Sequence, residues 1–189
     1  MCASVPAFAA CPGSGWSEVG AGKSYSTITS ALPASGHRKI CVYGNAYGTG
    51  PYTSCEDGVY DEAIEVPTGV AVEIMAGDSK VCIKNSSVST KPALTLIGNE
   101  PSGMPISYVH GFKWIIADYV GADGILVKDN RSLIIEDTST VAGRAITVTP
   151  TPSPGHCNYS FNQKPAQAPE PAGLRVKDQG QVFSENNLY

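Results

Sequence analysis

Gly124-Ile125-Leu126-Val127-Lys128-Asp129 returns later in the chain as Gly173-Leu174-Arg175-Val176-Lys177-Asp178, at an offset of 49 residues. Polar residues follow each copy, and then a second apolar run, Leu133–Ile135 in one case and Val182-Phe183 in the other. A strand-sized unit repeated with its downstream neighbour is the signature of a solenoid, in which each turn buries its inward side chains only against adjacent turns. Aliphatic spacing extends the pattern. Ile106, Ile125 and Ile146 lie 19 and 21 residues apart, and Val72, Leu94, Ile115 and Leu133 lie 22, 21 and 18 apart. These intervals predict a turn of about twenty residues, so the offset of 49 corresponds to two turns plus an insertion. Residues 149–172 supply the insertion, with proline-rich Thr149-Pro-Thr-Pro-Ser-Pro-Gly155 at its start. Proline has no N–H for a ladder, so this stretch is either an excursion from the solenoid or a linker after which the fold has ended.

The remainder of the chain agrees with many short strands. Apolar runs occur at Lys39–Tyr43, Ala63–Val66, Val70–Met75, Val81–Lys84, Ala93–Ile97, Ile106–Val109, Lys113–Ile116, Gly124–Val127, Ser132–Ile135 and Ala145–Val148, punctuated by Gly, Pro, Asn and Asp. Asp57-Gly58 and Asp123-Gly124 do not sit between matched alternating strands, which argues against an antiparallel sandwich of hairpins. Side chains alternate across a strand. The inward columns are therefore expected to hold Ile64, Val66, Val72, Ile74, Val81, Ile83, Leu94, Leu96, Ile115, Ile125, Val127, Leu133, Ile135, Ile146 and Val148. Helix signals are confined to Ser26–Leu32, ended by Pro33 and Gly36.

The chain has 189 residues, a net charge of −4 and 16% charged residues, without a basic stripe, so nucleic-acid binding is not expected. At 42% apolar it can bury a core. Cysteines stand at Cys2, Cys11, Cys41, Cys55, Cys82 and Cys157, with no C-x-x-C pair. An even, scattered set suits disulfides in an oxidising compartment, with buried thiols as the alternative; six cysteines allow 15 pairings, and none is singled out. At least two bridges are expected, one of them tying down Cys55 in the Gly/Tyr-rich loop. Sequons at Asn85, Asn130 and Asn158 agree with secretion. Ala7-Phe8-Ala9 resembles a signal-peptidase site, so residues 1–21 are either a signal-peptide remnant with an extended lead-in or an ordinary N-terminus. No run approaches the ~20 apolar residues of a membrane span.

Two motifs carry a resemblance. Tyr25-Ser-Thr-Ile28-Thr-Ser-Ala31-Leu32 resembles the "Y-x-T-I-x-x-A-L" element that opens the pectin-lyase-like superfamily, and Gly58-Val-Tyr60-Asp-Glu62-Ala-Ile64-Glu-Val66 is similar to the "G-x-Y-x-E-x-I-x-V" segment of pectinesterases and their noncatalytic relatives. Ile40–Tyr43 and Val70–Gly77 resemble strands of the same first turns, and together these segments cover about a third of the chain. The resemblance implies an all-β fold: a right-handed parallel β-helix with a short N-terminal capping helix. The β-helix is expected over 22–148 and a C-terminal rung, or an exchanged segment, over 173–189. Within the motif Tyr60 is expected to pack and Glu62 to be solvated, rather than to carry a function. Between Tyr43 and Gly58 the chain departs from the family through the loop Asn45–Cys55.

Catalytic signatures of that superfamily are missing. The four glutamines, at 163, 167, 179 and 181, lie far from the central aspartates, where an esterase needs its oxyanion donors. No Asp-Asp pair is present, and Gly155-His156-Cys157 is not the histidine element of a polygalacturonase. Asp118, Asp123, Asp129, Arg131, Glu136 and Asp137 could line one face and act as an acid/base group, or simply be solvated turn charges. His37, His110 and His156 lack metal-ligand spacing, and His110 reads as a hydrogen-bonded turn residue. Gly20-Ala-Gly22-Lys23-Ser24 lacks the upstream glycine of a phosphate loop. No catalytic residue, metal or cofactor is assigned. The expected function is that of a secreted, cell-surface or extracellular, noncatalytic protein, structural or adhesive, that associates with itself through its solenoid ends, up to filaments. The alternative is a polysaccharide-active enzyme, an esterase or lyase, or a carbohydrate-binding fragment using Tyr43, Tyr47, Tyr52 and Tyr60 to stack on a polysaccharide.

Overall fold

The computed structural model describes residues 11–44, 55, 58–78, 81–86, 91–99, 101–117, 122–138, 140–141, 174–176 and 181–185. Fourteen short strands and one helical turn account for most of them. In chain order these are β1 (Trp16–Val19), α1 (Ile28–Ala31), β2 (Gly36–Val42), β3 (Gly58–Asp61), β4 (Ile64–Val66), β5 (Val70–Ala76), β6 (Val81–Asn85) and β7 (Leu94–Ile97). They continue with β8 (Ser107–His110), β9 (Trp114–Ala117), β10 (Ile125–Lys128), β11 (Ser132–Glu136), β12 (Thr140–Val141), β13 (Leu174–Val176) and β14 (Gln181–Glu185).

Three sheets result, and every strand pair in them is parallel. The first runs β1-β2-β5-β8-β11-β14, the second β3-β6-β9-β12 and the third β4-β7-β10-β13. From β2 onward the chain therefore visits first, second and third sheet in turn, four times over, and then returns to the first. The fold is all-β with parallel sheets, and its first strand precedes the start expected at residue 22. Parallel neighbours cannot be joined by hairpins; β1 reaches β2 through α1, and from β2 onward each return passes through the other two sheets.

The period of about twenty residues is corrected by the register. Ile64, Leu94 and Ile125 are lateral neighbours at separations of 30 and 31 residues, and Ile74 and Val109 at 35. One return to a sheet takes three strands and three connections. The intervals near twenty joined residues of different sheets: Leu94 lies in the third sheet, Ile115 in the second and Leu133 in the first. For the same reason the repeat at offset 49 is one lateral step, not two. Ile125 pairs with Leu174 and Leu133 with Val182, so β13 and β14 add directly onto β10 and β11.

Inward positions behave as alternation requires. Of the fifteen expected, Ile64, Val66, Val72, Ile74, Val81, Ile83, Leu94, Leu96, Ile115, Ile125, Val127, Leu133 and Ile135 are all buried; Ile146 and Val148 lie outside the described residues. Side chains from all three sheets join in one core, together with Val19, Ile28 and Ala31. At about 25 cal/mol per Å² of apolar surface removed from water, this column packing is the main stabilising contribution.

Helix α1 is a single turn. Thr27 and Ser30 form a reciprocal capping box, and Ile28 and Ala31 point into the core. Glu62 is only partly solvated and is not free, contrary to expectation: its two carboxylate oxygens accept from the Ile28 and Thr29 amides, each at 2.8 Å. The first amides of a helix have no partner within it and favour an anion, so a glutamate from the β3–β4 connection holds the helix in place.

Two disulfides are formed. Cys55 joins Cys82 with Cα atoms 5.6 Å apart, and Cys11 joins Cys41 at 5.8 Å. The second lies directly on Gly77: a Cβ there would stand 2.8 Å from the Cys11 sulfur. Cys2 and Cys157 lie outside the described residues, as does 149–172.

Candidate functional site on the outer face of the first sheet

Strand alternation gives the six-stranded sheet an outer face as well as an inner one. The register aligns Lys39, Glu73, Tyr108 and Ile134 in one outward row, and Cys41, Met75, His110 and Glu136 in the next. Trp16 extends the first row and Glu18 the second.

Neighbours in these rows pair with one another. Lys39 Nζ lies 3.1 Å from Glu73 Oε2 and 5.4 Å from the Trp16 ring centroid. Glu73 Oε1 lies 3.9 Å from His110 Nε2. The rings of Tyr108 and His110, two residues apart on β8, stack with centroids 4.3 Å apart and planes at 9°. The Tyr108 hydroxyl donates to Glu136. Burial raises the Tyr108 phenol well above its ordinary range, and the Glu136 carboxylate adds to the effect. His110 is therefore a stacked face residue and not the hydrogen-bonded turn residue expected of it.

Burial also lowers the His110 pKa below its ordinary 6.5, against the opposing pull of Glu73, Glu136 and Asp137. The fold thus accommodates the neutral ring. The unfolded chain binds the proton more readily, so stability rises with pH in this range. Unfolding free energy is expected to fall as pH drops from about 6.5 toward 5, and a His110→Phe variant, which keeps a ring in the stack, should lose that slope. Urea midpoints measured across this window test it; an unchanged slope in the variant would assign the dependence to another group.

The carboxylates proposed to share one face do not gather into one site. Asp123 is nearly buried and takes the Arg175 Nε with both oxygens, at 2.8 and 2.7 Å. Asp129 stands at the β10–β11 turn beside Lys128, at 3.5 Å, and Glu136 belongs to Tyr108. Asp129, Asn130 and Asp137 adopt left-handed backbone (φ 60°, 62° and 46°), where short polar side chains are tolerated best. Arg131 is fully buried, its guanidinium donating to the Val70 carbonyl and, at 2.8 Å, to Ser107 Oγ. It is a core residue. Asp118 lies outside the described residues. Among the described residues no three His, Cys, Asp or Glu side chains are grouped to hold a metal.

The chain matches no protein-family model, no curated protein and no solved structure. Its candidate site therefore rests on its own geometry.

The tyrosines proposed to stack on sugars are placed otherwise. Tyr60 is only 3% exposed, and its hydroxyl donates to the Tyr43 carbonyl at 2.7 Å. Burial pushes its phenol up to about 12. Tyr43 is half-buried; it donates to Glu18 at 2.7 Å and has the Lys23 ammonium 4.0 Å above its ring. Tyr47 and Tyr52 lie outside the described residues. Asn85 is fully buried on β6, its side-chain amide donating to the Lys91 carbonyl at 2.8 Å. A glycan cannot be carried there in this fold, whereas Asn130 is exposed at a turn; Asn158 lies outside the described residues. Glycopeptide mass spectrometry of chain secreted from a glycosylating host is expected to find Asn85 unmodified. A glycan on Asn85 in folded protein would contradict the packing of β6.

Sequence reasoning missed Glu73, Tyr108 and their partners Lys39 and Trp16. The period-two alternation marks them as outward, but only the register across sequence separations of 34 and 35 residues brings them side by side.

Proposed function

We propose that this chain is a right-handed parallel β-helix of the pectin-lyase-like kind, exported to an oxidising compartment, where it serves as a noncatalytic structural or adhesive unit. The fold reading is supported by the fourfold passage through three sheets around one core and by the strong right-handed preference of parallel crossovers. Export is supported by the two disulfides, which persist outside the reducing cytosol. Among the described residues no helix is long and apolar enough to cross a membrane.

One observation carries the noncatalytic reading: the carboxylates and the phenol of the outer face are engaged with their neighbours. Glu73 pairs with Lys39, Glu136 holds the Tyr108 hydroxyl, and the His110 ring stacks on Tyr108 with its Nε2 buried. A general acid or base must reach the substrate's proton, and an aromatic platform must offer an open face. A ladder of this kind stiffens the sheet instead. Incubation with pectin, polygalacturonate and alginate, read by reducing ends and by unsaturated-product absorbance, is expected to give no turnover.

The same cluster favours a second reading, a polysaccharide-active site, because it places two glutamates on either side of a tyrosine and a histidine. Turnover that disappears in Glu73→Gln or Glu136→Gln would establish this second reading in place of the first.

A further inference from the structure

The two disulfides are set differently in the fold. Cys55 and Cys82 are 1% and 0% exposed, and the Gly58 amide donates to the Cys55 carbonyl at 3.2 Å, so that bridge is sealed. Cys41 is also completely buried, but its partner Cys11 is partly exposed and leads into residues 12–15, exposed throughout. A Cβ at Gly13 or Gly15 would meet nothing within 4 Å. Ladder pairing begins only at Trp16. The bridge therefore holds residues 11–15 to the sheet.

Its position gives that hold a consequence. Strand alternation sets Cys41 on the outer face of the first sheet, in one row with Met75 and His110. A Cβ on Gly77, two residues beyond Met75, would stand 2.8 Å from the Cys11 sulfur and 3.3 Å from that of Cys41. The bridge thus lies over the outer face beside Met75. Met75 points outward and is nevertheless only 7% exposed, whereas Met104 is 45% exposed.

We infer that the Cys11–Cys41 bridge is a redox-operated strap. Oxidised, it clamps residues 11–15 over the end of the outward row; a dithiol reductant releases them and bares Cys41 and Met75, while Cys55–Cys82 stays closed. Exchange requires a thiolate to reach a disulfide sulfur, and of the four bridged cysteines only Cys11 is more than 1% exposed. The reductant's thiolate bonds to the Cys11 sulfur, and Cys41 leaves as a thiolate. The reductant's second thiol then displaces Cys11. Two electrons and two protons pass to the Cys11 and Cys41 sulfurs, and the reductant is left as its own disulfide. Release stops at β1, which is paired with β2 along its length and has Val19 in the core.

The test uses the full chain, its free thiols first blocked with iodoacetamide without denaturant. Dithiothreitol is added, and samples taken over time are trapped with N-ethylmaleimide and read peptide by peptide by mass spectrometry. Cys11 and Cys41 are expected to label together, at least about tenfold faster than Cys55 and Cys82, while the circular dichroism stays that of a β protein. Equal rates, or earlier opening of Cys55–Cys82, overturn the inference. Loss of the β spectrum in step with the first bridge overturns it too, because the bridge is then a staple of the fold. A second measurement follows the cover itself. Hydrogen peroxide converts accessible methionine to its sulfoxide. In a Cys11→Ser/Cys41→Ser chain Met75 should oxidise several-fold faster than in the parent, with the exposed Met104 unchanged as the internal reference. Met75 equally slow in both chains shows that the bridge covers nothing and overturns the strap, and a double variant that does not fold counts against it as the spectral loss does.

Discussion

Replacing Arg131 with alanine is expected to lower the unfolding free energy by about 3–5 kcal/mol, a large part of what a single domain possesses. Two losses add. Removing a fully buried long side chain leaves a cavity that the neighbouring strands only partly fill, and cavity-forming truncations cost about 2–5 kcal/mol. The Val70 carbonyl also loses the guanidinium, at about 1–3 kcal/mol for a buried group left unpaired, while Ser107 Oγ keeps the Val72 amide as a donor. Arg131→Met separates the two. Methionine restores most of the volume and removes the desolvated charge, and apolar replacements of buried charges are often neutral or better. It should therefore lose less than half of what alanine loses. Urea unfolding of the three chains measures this, and an alanine variant within 1 kcal/mol of the parent would mean that the side chain is not part of the core.

Glu62→Ala is expected to cost about 2–3 kcal/mol. Its carboxylate accepts two amide hydrogen bonds of 2.8 Å from the first turn of α1, and hydrogen bonds to a charged group contribute about 1.5–3 kcal/mol each before solvent takes its share. Glu62 is half-exposed, so water replaces part of the loss. Glu62→Gln keeps one acceptor oxygen and loses the attraction between the anion and the positive helix end; its cost should fall between alanine and the parent. Amide exchange at Ile28 and Thr29 should accelerate in both variants. Unchanged exchange there, with stability lost elsewhere, would show that the glutamate acts on β3 and β4 and not on the helix.

These two residues also show what could be read without a structure. The apolar positions of the strands were legible because a parallel sheet buries alternate side chains whatever its register: Ile64, Leu94 and Ile125 announce themselves as inward from their own neighbours. Their assignment to columns was not legible. Three strands intervene before the chain returns to the same sheet, and the spacing of aliphatic residues cannot say which of three sheets each belongs to. The motif around Tyr60 and Glu62 is local, yet the partner of Glu62 lies 34 residues back, at Ile28. Arg131 looked like a surface charge because it follows the exposed, left-handed Asn130 in a turn. Only the small side chain of Ser107, one strand away, makes room for hydrogen-bonded burial. The outer-face pairs of Glu73, Tyr108, His110 and Glu136 depend wholly on register and were invisible for the same reason.

The step from β10 to β13 has a consequence for how such a chain can change over time. Its paired strands are 49 residues apart, against 31 for the preceding step in the same sheet. Closing the longer segment costs only about 0.4 kcal/mol more, since loop-closure entropy grows with the logarithm of length. Segments inserted between strands therefore hardly burden the fold, whereas insertion of one residue within a strand would turn a whole column inside out. Variation in length should accumulate at the connections, each connection able to acquire a new sequence independently of the others, while the strands tolerate substitution and not insertion. The architecture separates what folding requires from what is available for new recognition, and the longest stretch between consecutive described strands is the one from β12 to β13.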